Sequence, residues 1–132
     1  MANFRIFSQG DILNFLNKRD GETKLVERVQ RIEQLSDLEN STAKFVLLGI
    51  PEDIGVRANY GIGGAQTAWK PALKSFLNLQ QNEFLRGEDI LVLGEFDITE
   101  NTTTDVDLLR KAVAEIDDLV YPIVQIIVEA GK

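Results

Sequence analysis

The stretch FVLLGIPEDIGVRANYGIGGAQTAW, residues 45–69, decides the fold. It opens on an apolar run, Phe45 to Ile50, interrupted only by Gly49. A short apolar run bounded by turn signals suits a strand buried on both faces, as in a parallel sheet. The stretch closes on a helix, predicted from about Ala65 or Thr67 to Leu79, with Trp69, Leu73, Phe76 and Leu77 on its inner face. Pro71 fits only the first turn of that helix. A strand-to-helix connection needs about 2–6 residues. The segment from Pro51 to Gly64 is far longer, glycine-rich and charged, which points to a loop with a task of its own.

Working outward, Ile90 to Phe96 (ILVLGEF) repeats the pattern of an apolar run, a glycine and an acid, and reads as a second strand. Strand, helix and strand in this order imply a right-handed parallel crossover and an α/β fold with helices on both faces of the sheet. Asp105 is placed to cap a long final helix from Val106 to Ala130. Its predicted inner stripe is Leu108, Leu109, Ala112, Val113, Ile116, Leu119, Val120, Ile123 and Ile127. Pro122 should kink or split it, and Gly131 suits its C′ position. Upstream, a short helix is expected after Asp11, its N-cap, carrying Ile12, Leu13, Phe15 and Leu16. A second is expected from Glu22 to Gln34 on the spacing of Leu25, Val26, Val29 and Ile32. Ser36 to Ala43 reads as a turn, and Gln80 to Glu88 as a connector anchored by Phe84 and Leu85.

The chain has 132 residues, 44% of them hydrophobic and 27% charged, the mix of one globular domain. Its net charge of −7 without basic clusters argues against nucleic acid and against anionic membrane surfaces. With no cysteine and no histidine, disulfides, thiolate nucleophiles and imidazole ligands are excluded. Any metal site built from these residues would be all-oxygen. The N-terminus lacks the basic start and apolar centre of a signal peptide, so a cytoplasmic protein is expected. Asn40-Ser41-Thr42 and Asn101-Thr102-Thr103 match the glycosylation sequon, but without a secretion signal they read as chance.

Two chemistries could occupy the long loop. Gly61-Ile62-Gly63-Gly64 lies between a strand and a helix, where backbone amides can cradle phosphate. However, the third glycine of the dinucleotide fingerprint is replaced by Gln66, and no Gly-Lys-Ser/Thr occurs. Glu52, Asp53, Glu95 and Asp97 follow the two strands at the sheet edge where α/β proteins bind ligands, so they could hold a divalent metal. Acids in such positions also serve as helix caps or solvated loop residues.

The loop resembles that of the arginase–agmatinase–formimidoylglutamase group, the ureohydrolases. The likeness rests on Gly49-x-Pro51-x-Asp53-x-Gly55 after an apolar strand, followed by a glycine-containing loop and a helix. Val56-Arg57-Ala58-Asn59-Tyr60-Gly61 looks most like the formimidoylglutamase-type members. Gly21 to Leu25 and Ile90 to Asp97 add to the likeness, which covers about residues 3 to 132. The resemblance implies a three-layer α/β/α parallel-sheet, arginase-like fold. It also implies two manganese ions activating a hydroxide that attacks a guanidino or formimino carbon. The family's metal motifs, Gly-Gly-x-His, Asp-Ala-His-x-Asp and Ser-x-Asp-x-Asp, are absent from this chain. The expectation is therefore a single incomplete α/β domain over 1–132, the N-terminal portion of such an enzyme, inactive alone, with neither catalytic nor metal residues of its own.

The resemblance places Arg57 and Asn59 as substrate-binding residues at the rim of the active site. Arg57 has the bidentate donors to hold a carboxylate, but a loop salt bridge with Glu52 or Asp53 is the competing role. Asp53, Gly61, Gly63 and Gly64 would shape the loop, and Trp69 would anchor its helix or wall the pocket. A small-molecule substrate and a homo-oligomer are implied. A stand-alone, non-catalytic α/β binding module is the alternative.

Overall fold

A computed structural model describes residues 4–132. Residues 1–3, the first part of the N-terminus read above as lacking a leader, lie outside them. The chain is a mixed α/β fold. In chain order its main elements are β1 (Phe4–Ile6), α1 (Gln9–Leu13), β2 (Phe45–Gly49), α2 (Ile54–Ala58), α3 (Trp69–Leu77), β3 (Ile90–Phe96) and α4 (Val106–Glu129). The three strands form one sheet in the order β1-β3-β2. β2 and β3 are parallel, joined through α3, and Phe45 faces Ile90 in the register.

β3 is the centre of the sheet because its residues are apolar on both faces. Ile90 and Val92 enter one core with Leu25, Val26, Leu73 and Leu77. Leu91 and Leu93 enter another with Ile32, Leu38 and Ile127. Each such buried side chain stabilises the fold by about 1.5–3 kcal/mol. A third cluster joins Ile54 and Ala58 of α2 to Leu109 of α4.

β1 is a strand the sequence reading lacks, and it makes the sheet mixed. It pairs antiparallel with the end of β3, Phe4 opposite Phe96 and Ile6 opposite Gly94. A Cβ at Gly94 would overlap the Arg5 carbonyl, so the close approach of β1 requires glycine there. β2 is not buried on both faces: Phe45 is exposed and its neighbours are half-buried.

The helix expected over 22–34 does not form. Only a 3₁₀ turn at Leu25–Glu27 is helical. Gln30 instead bridges alongside Leu91, donating to the Ile90 carbonyl and accepting from the Val92 amide. Tertiary pairing with β3 therefore overrides the helical spacing, and Leu25 and Ile32 serve different cores. Ser36 to Ala43, read as a turn, overlaps the 3₁₀ helix Leu35–Asn40.

Ser8, not Asp11, is the N-cap of α1; Asp11 is the returning acid of the capping box. Leu85 packs against the first core, but Phe84 is 90% exposed and anchors nothing. Leu108 likewise points to solvent. Pro122 sits inside α4 without splitting it. That helix starts at Asp105, whose side chain accepts from the Leu108 amide. It ends in a Schellman motif at Gly131 (φ 81°), with the Gly131 and Lys132 amides donating to Val128 and Ile127. Among the described residues no helix is long and apolar enough to cross a membrane.

Candidate functional site

β2 stops at Gly49 and is followed by Pro51, which has no amide to donate to a ladder. Glu52 then turns the chain, its carboxylate accepting from the Gly55 amide at 2.8 Å. α2 follows, so the long segment is not loop throughout. Ile54 and Ala58 are buried against α4, which fixes this short helix over the carboxyl ends of the strands.

Asp53, just before α2, is the knot of the segment. One carboxylate oxygen accepts from the Gly64 amide at 3.1 Å. The other accepts from Arg57 at 3.3 Å. Gly64 has φ 124°, a conformation open to glycine. Gly63 passes so close to Asp53 and Arg57 that a Cβ would meet the Arg57 Cδ at 3.0 Å. Gly61 donates to the Val56 carbonyl at 2.8 Å, with no room for a side chain beside Val56.

Arg57 does more than pair with Asp53. Its Nη1 also donates to the Asn101 carbonyl and its Nη2 to the Thr103 carbonyl. The guanidinium is thus a staple between the segment after β2 and the segment after β3. The side chain is four-fifths buried, where charge-assisted hydrogen bonds gain strength. Its Nε–H and second Nη2–H make no hydrogen bond among the described residues. Asn59 stands apart from this clasp. It is exposed at the end of α2, its amide nitrogen donating to the Gly55 carbonyl at 3.3 Å.

The four acids considered for a metal are not gathered. Glu95 accepts from the Trp69 indole Nε1 at 2.8 Å and from Arg5 at 3.1 Å. Glu52 and Asp53 are engaged with the loop backbone, and Asp97 is exposed. Among the described residues no three His, Cys, Asp or Glu side chains converge. The phosphate-cradle reading loses its best amide, since Gly64 N–H already donates to Asp53.

Beside the clasp lies an open cleft of about 400 Å³, walled by Arg5, Gln66, Trp69, Lys70, Glu95 and Asp97. A smaller hollow of about 180 Å³, with Glu52, Asp53, Gln66 and Asn101 among its lining, continues it towards the Arg57 staple. Trp69 is both anchor and wall: it packs against the first core and lines the cleft. Gly49 makes this possible, because a Cβ there would overlap the indole.

Arg5 is the residue that the sequence reading missed. It bridges Asp11 at 2.8 Å and Glu95 at 3.1 Å, tying α1 to the end of β3. Asp11 titrates below the usual carboxylate range, first because it accepts the Ser8 backbone amide, with the Ser8 hydroxyl and Arg5 adding to the effect. The only local signal for Arg5 is the apolar–charged–apolar order Phe4-Arg5-Ile6, too short to mark a strand. No family model, curated protein or solved structure matches the chain.

Proposed function

We propose that the chain is the N-terminal portion of a manganese-dependent ureohydrolase, most like formimidoylglutamase. Such an enzyme hydrolyses a C–N bond of a formimino or guanidino metabolite. The observation that carries this reading is how Gly49, Pro51, Asp53 and Gly55, the residues of the resemblance, are used. Gly49 admits Trp69, Pro51 ends the strand, Asp53 ties down Gly64, and the Gly55 amide donates to Glu52. Together they hold a wall over the carboxyl ends of two parallel strands, where α/β enzymes place their substrates. The parallel β2–α3–β3 crossover and the outer edge of β2, unpaired among the described residues, are compatible with a larger three-layer, arginase-like sheet.

The described residues do not fit a manganese pair, because no three of their acids converge and Glu52, Asp53 and Glu95 are engaged elsewhere. The reading assigns the metals to other residues of the complete enzyme, and no step is derived through them. In it, Arg57 holds the rim through the Asn101 and Thr103 carbonyls. Its remaining N–H groups face the task of a substrate carboxylate, with Asn59 as a second donor. The enzyme would be cytoplasmic, homo-oligomeric and specific for a small molecule.

The product of the native gene tests this. With manganese it should hydrolyse formimidoylglutamate, agmatine or arginine, releasing formamide or urea. Arg57→Ala should raise KM more than it lowers kcat. Absence of turnover on all three substrates would refute the reading. The engagement of Glu52, Asp53 and Glu95 in structural bonds favours a second reading, a non-catalytic α/β binding module. That reading predicts ligand binding without turnover in the same preparation.

A further inference from the structure

The cleft beside the Arg57 clasp carries two charges that the fold does not use. Four charged side chains line it: Arg5, Lys70, Glu95 and Asp97. Two of these satisfy each other. The Glu95 side chain is only 13% exposed, and both its oxygens are taken. One accepts from Arg5 at 3.1 Å and the other from the Trp69 indole at 2.8 Å. Arg5 is bound further by Asp11 at 2.8 Å. Lys70 and Asp97 are exposed, and among the described residues neither makes a side-chain hydrogen bond or an ion pair, with each other or with any neighbour. The lining thus presents one uncommitted cation and one uncommitted anion, beside an indole that Glu95 holds in place.

This pairing selects the ligand. A bare anion would be drawn to Lys70 but repelled by Asp97, and a bare cation the reverse. A wholly apolar ligand would desolvate both charges and pair neither. A ligand with one carboxylate and one ammonium satisfies both. Its remainder carries no charge, because Arg5 and Glu95 already neutralise each other, and Pro51, Trp69 and Ile98 offer it apolar surface. The volume of about 400 Å³ falls within the range of about 300–1,000 Å³ usual for small-ligand sites. We infer that the cleft binds a free amino acid with an apolar side chain, its carboxylate on Lys70 and its ammonium on Asp97. The inference does not rest on the ureohydrolase reading, since such a ligand has no guanidino or formimino group to hydrolyse.

The probe is free leucine. Its controls are isoamylamine, which is leucine without the carboxylate, and isocaproate, which is leucine without the ammonium. The native gene product, in buffer without manganese, should bind leucine saturably by calorimetry and by the emission of Trp69, which lines the cleft. Each control should bind about tenfold more weakly or worse, having lost one charged contact. Lys70→Gln should weaken leucine by about the same factor and leave it no better bound than isoamylamine. Asp97→Asn should likewise leave leucine no better bound than isocaproate. Both residues are exposed, so the urea midpoint should hold in both variants. Absence of saturable leucine binding would overturn the inference. Isocaproate binding as tightly as leucine would make the cleft an anion site, and isoamylamine doing so would make it a cation site; either result refutes the pairing. Leucine binding unchanged in both variants would place its site elsewhere on the protein and refute the assignment to this cleft.

Discussion

Gly49→Ala tests the junction on which the candidate site is built. A Cβ at Gly49 would lie 2.6 Å from Trp69 Cδ2 and closer still to its neighbouring ring atoms. Carbon atoms pack at about 3.5–4.0 Å, so the overlap is about 1 Å. Neither side can yield cheaply. Gly49 belongs to β2 and pairs with Glu95 in the register, while Trp69 Nε1 is held by the Glu95 carboxylate at 2.8 Å. If the backbone moves, the cost is that of overpacking, about 1–3 kcal/mol. If the indole swings out, a hydrogen bond to a charged group is lost, about 1.5–3 kcal/mol, together with its packing against the core. The expected destabilisation is about 2–4 kcal/mol, a large share of the about 5–15 kcal/mol that holds a domain folded. Urea unfolding measures it, read by circular dichroism and by emission of Trp69, the only tryptophan. The double variant Gly49→Ala with Trp69→Leu should recover part of the loss, with a coupling above about 1 kcal/mol. A cost below about 0.5 kcal/mol with unchanged emission would refute the reasoning, as would additive single and double variants.

Arg57→Ala should cost about 2–4 kcal/mol, from charge-assisted bonds to Asp53, Asn101 and Thr103. Arg57→Lys should recover less than half, because one ammonium cannot span the fork, and hydrogen exchange should quicken around Thr103 in both variants. The depressed pKa of Asp11 gives stability that is present above its unfolded value, 3.8, and lost as pH falls through the lower folded value. The difference in urea midpoint between wild type and Asp11→Asn should therefore shrink below pH 3.8, and a difference constant with pH would contradict the assignment. Pro122 is exposed inside α4 and has no amide for the Asp118 carbonyl, so Pro122→Ala should stabilise by about 1–3 kcal/mol. An unchanged melting temperature would show that the helix already accommodates the ring.

The sequence by itself determined the elements whose signal is local. β2 and β3 are continuous apolar runs, and a parallel crossover follows from the helix between them. α4 announces its start at Asp105 and its end at Gly131, because caps satisfy backbone groups within one turn. The length and glycine content of the segment after β2 also marked it as a built feature. Only the tertiary structure decided matters that depend on partners far away in the chain. Leu25, Val26, Val29 and Ile32 have helical spacing, yet two backbone bonds from Gln30 to β3 are available only after the sheet forms. β1 is three residues long and is recognisable only through the gap at Gly94 that admits it. Arg57 and Asp53 could be foreseen as a pair, since both lie in one short segment. The carbonyls of Asn101 and Thr103, more than forty residues on, could not. Glu95 and Asp97, adjacent to a strand end in sequence, looked available for a ligand. Trp69 and Arg5 claim Glu95 from α3 and β1, and only the folded chain brings those donors to it.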